Sequence, residues 1–170
     1  MASITTVEGI LPSGGLAAVP RFERQRLAER VRRDHATIRT LLDDVERACG
    51  IVNEGHPGAQ ERVRRAVWDL YLVFDDHLAM EEAHVAPILR AFDARGEQRA
   101  VAMILEHNEQ RRLILELVED AEREAKLAAE LASDALALVL AFRTDMEIEE
   151  SSLAVVLVET TPRAVTAIPG

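Results

Sequence analysis

Four stretches of this chain carry an apolar stripe at helical spacing, and titratable side chains interrupt every stripe. The first runs from about Phe22 to Cys49, with Leu27, Val31, Ile38, Leu42 and Val45, and is interrupted by His35. The second runs from Ala59 to Phe92, with Val63, Val67, Leu70, Phe74 and Ile88, and is interrupted by His77 and Glu81. The third runs from Glu97 to Ala125, with Ala100, Ile104, Ile114, Leu117 and Ala121, and is interrupted by His107. The fourth runs from Leu127 to Glu159, with Leu131, Ala135, Leu138, Phe142, Leu153 and Val156, and is interrupted by Asp145 and Glu149. Gly50 and "NEGHPG" end the first stretch, and "ARG" at 94–96 ends the second. Neither glycine nor proline marks the third turn, near Lys126. Long amphipathic helices with short connections pack best as an up-down bundle. The expectation is an all-α, antiparallel four-helix bundle over 21–160, with a loose N-terminal tail at 1–20 and a C-terminal tail at 161–170.

Composition narrows the function. The net charge is -10 and the arginines are scattered among acids, so a nucleic-acid partner is not expected. No apolar run is long enough to predict a membrane span. Cys49 is the single cysteine, which rules out an internal disulfide and a zinc site built from several thiolates. The N-terminal residues lack the basic and apolar regions of a signal peptide. Together these features point to the cytoplasm.

The interruptions repeat between the two halves. His35 corresponds to His107, and "HLAMEE" at 77–82 corresponds to "DMEIEE" at 145–150. Spacing of i,i+4 sets His77 beside Glu81 and Asp145 beside Glu149. An unpaired buried carboxylate costs several kcal/mol, against a net stability of about 5–15 kcal/mol for a whole domain. Taken one at a time, each residue has an ordinary reading. His35 and His107 suit satisfied core histidines, His77 and Glu81 a surface pair, and Asp145 and Glu149 a solvated face; a metal-free helical module would then follow. Taken together, four stripes broken at heights that superpose in an antiparallel bundle favour a bound polyvalent cation. Imidazole nitrogen and carboxylate oxygen suit iron, manganese or zinc. Bridging carboxylates make these six residues sufficient for two cations. Glu82, His84 and Arg111 rank lower, as neighbours of the site, while Trp68, Tyr71, Met80, Met103 and Met146 read as packing residues.

"DHATIRTLLDDVE", "HLAMEEAHVAPIL" and "EHNEQRRLI" together resemble the helix motifs of the hemerythrin-like, HHE cation-binding family. The resemblance spans about Phe22 to Glu159 and implies a four-helix bundle around two non-heme iron ions with bridging carboxylates. Family ligands fall on His35, His77, Glu81, His107 and Glu149. Asp145 stands where members usually have histidine, and Arg111 where oxygen-carrying members have a second histidine one turn after His107. Extra carboxylate favours a harder, oxidised metal. The resemblance therefore implies chemistry on a small oxidant (hydrogen peroxide, oxygen or nitric oxide), with a catalase-like reaction as its most concrete form. A non-catalytic sensor of oxygen, nitric oxide or iron is the alternative.

Overall fold

The computed structural model describes residues 19–124 and 126–158, and every regular element among them is helical. Helix α1 spans Arg21–Asn53, α2 Ala59–Phe92, α3 Gly96–Glu122 and α4 Ala128–Leu153, followed by a π-helical turn at Ala154–Val158. They form the expected antiparallel four-helix bundle. The tails expected at 1–20 and 161–170 lie, but for Val19 and Pro20, outside the described residues.

Helix ends depart from the sequence pattern in ways local chemistry explains. Gly50 does not stop α1, which runs on to Asn53. A glycine inside a helix costs only about 1 kcal/mol, less than the turn's hydrogen bonds and packing return. The stop comes at Gly55 and Gly58, whose φ values of 72° and 76° suit a residue without a side chain. The third helix was expected to reach Ala125 but ends at Glu122, and Glu124 takes a left-handed φ of 50°. The turn is closed by the Glu130 carboxylate, which accepts the Leu127 backbone N–H at 3.1 Å. The fourth helix was expected to continue to Glu159, yet its α-helical part ends at Leu153. Gly96 brings α3 hard against the end of α2, because a Cβ there would lie 2.1 Å from the Leu89 carbonyl oxygen.

Two apolar clusters fill the bundle. The larger contains Ile38, Leu42, Phe74, Ile114, Phe142 and Met146. The smaller contains Val31, Met80, Val85, Leu89, Met103 and Leu153. His35 and His107 each lie in sequence between members of the two clusters, His35 between Val31 and Ile38 and His107 between Met103 and Ile114. A polar layer therefore crosses the core where the stripes are broken. Around it the helices are unevenly packed. α1 lies firmly on α2 and α4, and α2 on α3, while α3 and α4 meet least of the neighbouring pairs. Trp68, read above as a packing residue, is on the outside of α2, with its ring 5.6 Å from that of Tyr71.

Candidate metal centre

Glu81 is the hub of the polar layer. It is 0% exposed, and neither carboxylate oxygen has a hydrogen-bond partner among the described residues. Its Oε1 lies 3.5 Å from His77 Nε2 and 4.0 Å from His35 Nε2. Its Oε2 lies 3.5 Å from His107 Nε2. One carboxylate thus turns an oxygen toward each side of the layer. Glu149 reaches in from α4, with Oε2 3.5 Å from His35 Nε2. His35, His77, Glu81 and Glu149 each offer one ligand atom, and these atoms lie within 4.8 Å of one another.

His107 and Asp145 stand outside that set of four. His107 is buried and meets it through Glu81 Oε2. Asp145 is half-buried, and Gln110 Nε2 donates a hydrogen bond to its Oδ2 at 3.2 Å. His84 is exposed, on the outer side of α2. Between α3 and α4 a cavity of about 210 Å³ reaches His107, Asp145 and Glu149, with Glu106 and Gln110 in its wall.

An outer ring holds two of the histidines. The His35 Nδ1–H donates to Glu150 Oε1 at 2.8 Å, and Arg39 Nη1 donates to the same oxygen at 2.9 Å. The His107 Nδ1–H donates to Glu82 Oε1 at 3.1 Å, and Arg111 Nη1 donates there at 2.6 Å. Arg111 also donates to Asp75, so it turns outward instead of meeting Glu81. The two halves are therefore alike down to the arginine four residues after each histidine. Bonding at Nδ1 turns each Nε2 toward Glu81. The sequence reading ranked Glu82 low and passed over Glu150, Arg39 and Gln110. The doubled acids and the shared His-x-x-x-Arg spacing were the available signal for the first two; nothing in the pattern marked Gln110.

The protonation of the metal-free centre follows from burial and neighbours. Burial, then the adjacent Glu149, push Glu81 far above the usual carboxylate range. Burial, then the nearby His35 charge, push His77 down to about 3. Burial also lowers His35, but hydrogen bonds to Glu149 and Glu150 outweigh it and raise the net value. A protonated His35 can then donate from Nε2 to neutral His77 Nε2, at their 3.1 Å separation. Burial raises Glu149, Glu82 and Glu150, yet their hydrogen bonds prevail and hold all three below the ordinary range. For Glu149 the partner is His35, for Glu82 Arg111 and His107, and for Glu150 Arg39 and His35.

A cation fits this arrangement. Two buried carboxylate oxygens without donors, facing imidazole nitrogens on both sides, are a costly array for a metal-free core and a suitable ligand set for iron, manganese or zinc. Comparison with curated proteins and with solved structures gave no match. The family described as the hemerythrin HHE cation binding domain matches residues 26–157, which takes in most of α1 and all of α2, α3 and α4. No helix among the described residues is long and apolar enough to cross a membrane. The ligand chemistry at Glu81 and the match over most of the chain agree: this protein belongs to the hemerythrin HHE cation-binding domain family, whose members bind metal, typically iron.

Proposed function

We propose that the chain holds two non-heme iron ions through His35, His77, Glu81, His107, Asp145 and Glu149, and acts on a small oxidant. Hydrogen peroxide, converted to water and oxygen, is the favoured substrate; oxygen and nitric oxide are the other candidates. The observation that carries the reading is Glu81, buried and unpartnered, with one oxygen toward His77 and the other toward His107. When bound, the metal pair supplies open coordination positions and redox equivalents. The chain's own groups do the rest. Glu82 and Glu150 hold the imidazoles with Nε2 inward. The apolar clusters above and below keep water from the inner side. Glu106, pushed upward first by burial and then by Asp145 and Glu149, lines the cavity wall beside the path of an entering peroxide.

The test is iron analysis of the purified chain together with peroxide consumption. Two irons per chain, lost in Glu81→Ala, and peroxide loss well above that of equal free iron support the proposal. Iron retained in Glu81→Ala argues against the ligand set. Two irons with no faster peroxide loss would remove the catalytic reading and leave the sensor.

A further inference from the structure

The two sides of Glu81 are not chemically equal. On the Oε1 side stand two imidazoles, His35 and His77, with Glu149, and His35 is 0% exposed. On the Oε2 side His107 is the single imidazole, and its neighbours offer oxygen. Gln110 lies one turn after His107 and is 8% exposed. Its Nε2 donates to Asp145, while its Oε1 is buried with no hydrogen-bond partner among the described residues. Burying an amide oxygen without a donor is unfavourable, and a cation is a partner that would offset it. The cavity between α3 and α4 reaches His107, Gln110, Asp145 and Glu149, and its wall includes none of His35, His77 and Glu81.

Resting on the reading of a two-cation centre, we propose that the positions differ in metal and in lability. The inner position, at His35, His77, Glu81 and Glu149, retains a borderline cation such as iron or zinc. The outer position, at His107, Gln110, Asp145 and the second oxygen of Glu81, exchanges with solvent through the cavity and accepts a harder cation such as manganese(II) as well as iron. Ligand chemistry sets the preference: imidazole nitrogen suits iron and zinc, whereas carboxylate and carbonyl oxygen suit manganese. Access sets the lability: the cavity meets the outer position at His107, Gln110 and Asp145 but the inner one at Glu149 alone, so an ion at the outer position leaves more readily. Gln110 is then a ligand through its amide oxygen.

The experiment is a metal titration of the metal-free full-length chain, with no activity assay. Zinc is added first, to one equivalent, and followed by calorimetry. Manganese(II) is added second and followed by loss of the free-ion paramagnetic resonance signal. One manganese should bind beside the zinc, and a chelator should then remove manganese at least tenfold faster than zinc. Gln110→Leu and Asp145→Asn should each weaken the manganese step at least tenfold and leave the zinc step and the helical circular dichroism unchanged. Two steps alike in metal preference and exchange rate, in the unaltered chain, overturn the proposal, as does a manganese step untouched by either substitution in a folded variant. A chain that takes up neither cation overturns the two-cation reading as well.

Discussion

At Glu81 and His35, protons stand in for cations in the metal-free chain. Both groups are raised above their ordinary values, Glu81 by burial and Glu149, His35 by its hydrogen bonds to Glu149 and Glu150 against the opposing effect of burial. A raised native value means that the folded chain binds protons the unfolded chain has lost, so stability falls as pH rises through that interval. His77, lowered to about 3, acts oppositely between that value and its ordinary 6.5, where stability grows with pH. Above 6.5 the His77 contribution is constant, and Glu81 and His35 act in the same direction. Chemical denaturation of the metal-free protein from pH 6.5 upward should therefore show stability falling, by up to about 1.4 kcal/mol per pH unit for each proton. Glu81→Gln, which keeps the shape and removes the ionisation, should flatten most of that slope. A slope unchanged in Glu81→Gln would assign the effect elsewhere.

Neighbouring helices complete each histidine. α4 supplies Glu150 to His35 of α1, and α2 supplies Glu82 to His107 of α3, each with an arginine from the histidine's own helix. Orienting partners of this kind contribute about 10–100-fold to metal affinity. Glu150→Ala should weaken the step served by His35, and Glu82→Ala the step served by His107, each by about 10–100-fold with helical content preserved. Competitive titration against a metal-sensitive dye resolves the two. An equal loss in both steps from either substitution would mean that the halves are not independent. Element by element, the apolar spacing predicted α2 closely, at Ala59–Phe92, because turn-forming residues flank it on both sides. It misjudged α1 at Gly50 and α3 at its end. A lone glycine is weak punctuation inside a packed helix, and the turn after Glu122 uses Glu124 at positive φ, which no residue type announced.

In the molecule as a whole, the larger apolar cluster joins side chains of all four helices and contains no charged member. Removing metal should therefore lower stability without unfolding the helices. Loss of a ligand held at one hundred times its Kd costs about 2.7 kcal/mol. A chelator should lower the melting temperature while the helical circular dichroism at 25 °C stays the same, and loss of that signal would show that the metal organises the fold. The sequence by itself determined the helical class, the number of helices and the height of the polar layer, because apolar periodicity and its interruptions are local properties read along one chain. Tertiary structure alone decided which groups converge. Glu81 faces two sides, Glu150 reaches across to His35, Gln110 leaves an amide oxygen unpartnered, and the cavity opens beside His107. Each of these depends on how far helices distant in sequence are rotated and separated, and the loose packing of α3 against α4 follows from contacts that no single helix encodes.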